Sequence, residues 1–233
     1  MPTMPFKRGA LARVLPFALF IAFIAVDECA RLLAAQGWIN LSQTSLYYLY
    51  PLKTIAVAAL LYRYLRDYTE LSLRDLAVGR HTLISCALGL LTFVLWISMD
   101  WTLGAGAEPQ GFNPNLITDQ PTRIVLTLFR VAGAVLVVPL MEELFWRSFL
   151  LRYLIDANFE SVPIGRFSWA SFLVTVLLFG LEHHFILAGM VAGAIYSMIL
   201  YKTRSIAQCV LAHAVTNLAL AGYVLYTGRW HFW

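Results

Sequence analysis

"RIVLTLFRVAGAVLVVPLMEELFWRSFLLRYL", residues 123–154, is the stretch whose reading decides the fold. It is apolar over more than the roughly 20 residues that a helix needs to cross a bilayer. Yet Glu142, Glu143 and Arg147 lie inside it. Further apolar runs near 11–26, 46–62, 82–103, 168–186, 188–201 and 205–227 flank it on both sides. The whole chain of 233 residues is 60% hydrophobic and 13% charged, with a mean hydropathy of +0.71, whereas soluble domains carry about a quarter charged residues. A soluble globular domain is excluded. The spacing predicts an all-α polytopic transmembrane bundle of about seven helices, within a range of six to eight.

Lysine and arginine collect in short cytoplasmic loops. Lys7, Arg8 and Arg13 precede the first run; Arg63, Arg66, Arg74 and Arg80 separate the second from the third; Arg152 and Arg166 separate the fourth from the fifth; Lys202 and Arg204 separate the last two. The opposite side holds Arg31, Lys53, Arg123 and Arg229. The amino terminus is therefore predicted to be cytoplasmic, with the first run an uncleaved anchor because no small-residue cleavage site follows it. This bias accounts for the net charge of +4, and no basic cluster interleaved with aromatics points to nucleic acid. Cys29, Cys86 and Cys209 are odd in number and far apart, and read as small core residues rather than a disulfide or zinc framework. The polar stretch 104–123 is predicted to lie outside. We read residues 1–233 as a single integral membrane domain, with 1–103 as accessory helices and 120–220 as the part that carries chemistry.

On a helix Glu143 and Arg147 are four apart, the spacing of an ion pair, while Glu142 points about 100° away and stays free. Charge inside a bilayer costs several kcal/mol and is a functional hypothesis by default. Pro139 removes a backbone hydrogen bond just before the glutamates, and the resulting kink can open a polar cavity. "FGLEHH" supplies Phe179, Glu182, His183 and His184; "LAHAVTN" supplies His213 and Asn217 on one helical face. At 1.5 Å per residue Glu142 lies about 20 Å from the end of its run, and His213 about 12 Å from Arg204. The three groups are predicted to meet at mid-depth, in a cavity nearer the cytoplasm. Gly189 and Gly193 suit close helix packing, Asp27 and Arg31 can pair, and Arg130 is expected to pair with Asp119 or to snorkel. Of Glu182 and His184 the preferred reading is that they face a neighbouring helix rather than tune the site. The aromatic tail 229–233 reads as an interface anchor.

In chain order "VPLMEELFWR", "FGLEH" and "HAVTN" resemble the P-x-x-E-E-x-x-x-R, F-x-x-x-H and H-x-x-x-N motifs of the CPBP intramembrane proteases, the family of CAAX prenyl endopeptidases and bacteriocin-processing enzymes, also called Abi. The resemblance spans 120–220, and the "HHF-LAG" stretch and aromatic tail are most similar to a bacterial, exosortase-associated subgroup. Ser148 stands where that family commonly has glycine, and Trp146 where phenylalanine is frequent. The resemblance implies peptide-bond hydrolysis in a membrane-embedded or lipidated protein or peptide, within the lipid bilayer of a bacterial inner membrane. Glu142 would activate water as general base, His183 would hold the water or protonate the leaving amine, and His213 and Asn217 would supply oxyanion donors. Glu143, Arg147 and Phe179 would support them. Zinc held by Glu142, His183 and His213 is the alternative to a metal-free route, although no H-E-x-x-H pair is present. A non-catalytic binding or immunity protein and a small proton-coupled transporter remain as alternatives; the inverted repeats expected of the latter are not evident.

Overall fold

A computed structural model describes residues 8–42, 44–101 and 111–233. Lys7 and residues 104–110 of the polar stretch lie outside the described residues. Among the described residues there is no strand. Seven helices follow one another: α1 (Arg8–Ala35), α2 (Leu49–Arg63), α3 (Gly79–Ser98), α4 (Gln120–Tyr153), α5 (Trp169–Leu181), α6 (Ile186–Thr203) and α7 (Ile206–Thr227). The protein is thus an all-α, multi-pass membrane bundle. Five of the helices are long and apolar enough to cross a membrane. The other two are shorter: α2 has 15 residues and α5 has 13, a rise of about 22 and 20 Å against a hydrocarbon core of about 30 Å.

Local chemistry sets the helix ends. α1 runs past the expected limit near residue 26, because Asp27 and Arg31 pair at 3.0 Å one turn apart and cancel the charge that closes the apolar run. Asp119 caps α4 by accepting a bond from the Thr122 backbone N–H at 2.9 Å. Arg204 takes a left-handed conformation, φ 53°, and its N–H returns to the Leu200 carbonyl at 2.7 Å; Ser205 then caps α7 through Gln208 N–H. The result is a tight reversal between α6 and α7. Within α4 two π-helical segments, Gly133–Val137 and Leu144–Leu150, bracket the proline and the paired glutamates. The irregularity predicted from Pro139 is present, and a second one follows it. Such segments are frequent at functional sites.

One end of the bundle is tied by charge. Arg8 pairs with Asp67 at 2.9 Å, and Arg13 pairs with Glu70 at 2.5 Å. Ser148 Oγ accepts from Arg13 Nε at 2.9 Å and from Arg152 Nη2 at 3.0 Å, and donates to Glu70. Ser148, a mere departure from the motif in the sequence, is a fully buried junction. Gln208 of α7 reaches the Asp75 carbonyl at 2.9 Å. The basic segments grouped by sequence therefore share one end. At the other end the tail, expected to anchor at the interface, turns inward: Phe232 is buried against Phe185, with ring centres 5.4 Å apart, and Trp233 meets Phe112 at 6.0 Å. Of the cysteines only Cys209 is a core residue; Cys29 is exposed and Cys86 half-buried.

Packing between α3 and α7 depends on Gly89, where a Cβ would stand 2.4 Å from the Ala212 carbonyl oxygen. Gly193 lies against the Phe179 ring in the same manner, and Gly189 against Gly180 and His183. Both glycines expected at a helix contact are there. These approaches bring α4, α5, α6 and α7 close enough for their polar side chains to meet.

Candidate active site

Glu142 is 4% exposed and Glu143 fully buried. Glu143 Oε1 accepts from Arg147 Nη1 at 3.1 Å, the pair predicted from their spacing, and from His213 Nδ1 at 2.9 Å. Arg147, also without exposed surface, donates to the Gly193 carbonyl at 3.1 Å and lies over the rings of Phe179, at 4.4 Å, and Tyr196, at 5.4 Å. A buried charge is tolerated only when paired and hydrogen-bonded. The Glu143 carboxylate is shared between α4 and α7, and it fixes the orientation of His213. That imidazole is stacked on Tyr196, with centres 4.8 Å apart, and Tyr196 donates its hydroxyl to Thr216 at 2.9 Å.

His183 sits in the turn after the short helix α5, and its Nδ1 contacts the Phe179 carbonyl at 2.7 Å. A carbonyl only accepts, so Nδ1 carries the proton and Nε2 offers a lone pair. Trp96 closes one side, edge-on at 5.2 Å. Asn217 is held by the irregular backbone of α4. The Val138 N–H reaches back to Gly133, and Pro139 has no N–H, so the Ala134 carbonyl is left without a helical donor. Asn217 Nδ2 fills that position at 2.8 Å. One of its two amide protons remains for another acceptor.

Glu142, His183, His213 and Asn217 all line one cavity of about 190 Å³, together with Phe179 and Tyr196. Glu142 Oε2 has no hydrogen-bond partner. Shared walls, Phe20, Tyr50, Trp96, Arg130, His183 and the tail, join it to a half-open cavity of about 860 Å³. The larger cavity is lined by the far part of α1, the start of α2, residues 182–185 and the tail, all at the end opposite the basic loops. The expectation had the cavity nearer the end that carries the basic loops, and it lies toward the other end. The reason is physical: α5 stops after 13 residues and leaves space at that end, while the Arg13–Glu70–Ser148–Arg152 network seals the basic end.

Glu182 and His184 line the larger cavity rather than a helix contact, and Glu182 Oε2 is buried without a partner. Arg130 does not pair with Asp119; it stacks on Tyr50 at 4.5 Å. Among the described residues no three His, Cys, Asp or Glu side chains are grouped so as to hold a metal ion. Glu143 holds Nδ1 of His213 and the Phe179 carbonyl holds Nδ1 of His183, which leaves each Nε2 for a proton, a water or a metal. Tyr196, Thr216, Trp96 and the Ala134 carbonyl were not singled out from sequence. Only the π-turn and Pro139 together expose the last of these.

These features define a multi-pass membrane protein whose buried and half-buried glutamate, histidine and asparagine groups converge from α4, α7 and the turn after α5. Residues 124–219 match the family model described as Type II CAAX prenyl endopeptidase Rce1-like. The matched stretch holds all three motifs, and the CAAX prenyl endopeptidase family is the one they resemble. Comparison with characterised proteins and with solved structures gives no match.

Proposed function

We propose that the protein is an intramembrane endopeptidase that hydrolyses a peptide bond of a membrane-associated or lipid-modified protein or peptide, with a glutamate-activated water. The observation that carries this reading is one cavity lined by Glu142, whose carboxylate keeps an oxygen without a hydrogen-bond partner, and by two histidines with fixed Nδ1 atoms. Water held between Glu142 and the Nε2 lone pair of His183 gives its proton to Glu142 as its oxygen adds to the amide carbon. The resulting oxyanion takes a hydrogen bond from the free amide proton of Asn217, and a second from Nε2–H of His213 in its imidazolium form. Glu142 then hands the proton to the leaving nitrogen and the C–N bond breaks, giving an acid and an amine. No step runs through a metal.

By the positive-inside rule the amino terminus is cytoplasmic, and the larger cavity then opens on the other side. We therefore place substrate entry there, and not at the cytoplasmic face. The likeness to the exosortase-associated subgroup supports a bacterial inner membrane. The test compares wild type with Glu142→Gln in detergent, matched by thermal melt, against a fluorogenic peptide library and membrane extract. Loss of a general base lowers the rate by about 10² to 10⁴, with the melt unchanged. Cleavage that survives in Glu142→Gln would overturn the assignment, and cleavage lost on adding a chelator would restore the zinc alternative.

A further inference from the structure

Lys53 and Arg130 stand apart from the chemistry of the site. Both face the larger cavity, and Arg130 also lines the smaller one. Lys53 Nζ lies 4.1 Å from the centre of the Phe20 ring and 4.8 Å from that of Tyr50. The Arg130 guanidinium lies 4.5 Å from the Tyr50 centre and 5.8 Å from a Trp233 ring. Two cations on one ring are no more than about 9 Å apart, and like charges that close repel wherever water is scarce. Among the described residues neither makes an ion pair, and Arg130 Nε is buried without a hydrogen-bond partner. Asp27, which lines the same cavity, gives Oδ2 to Arg31 at 3.0 Å and hydrogen-bonds neither cation, while its Oδ1 has no hydrogen-bond partner. Aromatic faces attract a cation only weakly. That is less than full compensation for two half-buried like charges on one ring.

We propose that Lys53 and Arg130 form a docking site for an anionic group, a carboxylate or a phosphate, of the molecule that enters the cavity. This deepens the endopeptidase reading and rests on it for the identity of the reacting centre. An anion bridging the two cations converts their repulsion into a pair of charge-assisted bonds. Twelve residues of α4 separate the backbone of Arg130 from that of Glu142, at most about 18 Å of helix rise, and both side chains line the smaller cavity. An extended peptide covers that distance in about five residues, so the acid group sits within about five residues of the bond that Glu142 addresses.

The experiment uses the full chain in detergent, as wild type and as Glu142→Gln, each with Lys53→Gln, Arg130→Gln or Arg130→Lys. The first probe is an apolar hexapeptide carrying an amino-terminal dansyl group, made as the free acid and as the amide, its binding followed by energy transfer from tryptophan. The second is dihexanoyl phosphatidylglycerol against dihexanoyl phosphatidylcholine, followed by thermal shift. The free acid is expected to bind at least about tenfold more tightly than the amide, the size of a charge-assisted bond. That preference falls away in both glutamine variants and survives in Arg130→Lys. If the phosphatidylglycerol shift is the one that the glutamine variants abolish, the anion is a lipid phosphate. No preference in either arm, or a preference that both glutamine variants keep, overturns the site. Binding in the Glu142→Gln background needs no cleavage, so an anion preference without any proteolysis by wild type would sink the endopeptidase reading and leave this site standing.

Discussion

Arg147→Met tests the electrostatics of the site most directly. Arg147 and Glu143 are both without exposed surface, and the guanidinium spans Glu143 on its own helix, the Gly193 carbonyl on α6 and the faces of Phe179 and Tyr196. Methionine matches the length and polarisability but supplies no charge. It leaves the Glu143 carboxylate with His213 alone, and removing one partner of a buried pair costs about 3–5 kcal/mol. For a chain of this size, where about 1 kcal/mol moves the midpoint by 2–4 °C, the melt should fall by roughly 6–20 °C. The double variant Glu143→Gln, Arg147→Met removes both charges, and such replacements are often neutral. It should melt well above Arg147→Met, so the two single effects exceed the double by about 3 kcal/mol or more. Thermal melts by intrinsic fluorescence in one detergent give all four corners of the cycle. A drop under about 2 °C for Arg147→Met, or a double variant that falls by the sum of the singles, would refute the claim that a desolvated pair holds α4. The double variant should also be stable yet inactive, since His213 no longer has an anion to orient it.

Gly89→Ala should lower stability by about 1–3 kcal/mol, because its methyl meets backbone rather than a movable side chain; a melt within error of wild type would show that α3 and α7 can part freely. The same change displaces the helix that carries His213, so cleavage should fall with it. Outside the membrane, burial raises the Glu70 carboxyl, but the bonds and charge of Arg13 and the bond from Ser148 outweigh it and hold the group below its ordinary 4.5. A depressed folded value contributes stability above the unfolded pKa and loses it as pH falls through the folded one. The wild-type melt should therefore be flat near neutrality and drop below about pH 4.5, and Glu70→Gln should melt lower at neutral pH with a shallower acid limb. An equal acid limb in both proteins would assign the loss to another group.

Hydropathy made the helices legible because a helix that crosses lipid must be apolar over its whole length. Every run read from sequence corresponds to a helix. Spacing was enough for Glu143 with Arg147, and for His213 with Asn217, since three or four residues set a shared face. The meeting of Glu142, His183 and His213 around one cavity was also foreseen, but its mouth was not. Which end of a bundle is open depends on where short helices stop and on what closes the remaining space. Neither the inward turn of the tail nor the Ser148 junction has a local signal: each needs partners more than 65 residues away.

The asparagine of the last motif shows why such sites resist one-dimensional reading. Asn217 was read as an oxyanion donor because it shares a face with His213. In the structure one of its amide protons already has a task, set by a proline on another helix. Pro139 cannot donate and the π-turn before it diverts Val138, so the Ala134 carbonyl has no helical donor beside the cavity that Ala134 helps to line. Asn217 closes that gap, and in doing so it fixes the distance between α4 and α7. The proline, the π-turn and the asparagine are therefore one device spread over two helices. It holds α4, with Glu142, and α7, with His213, around a single cavity.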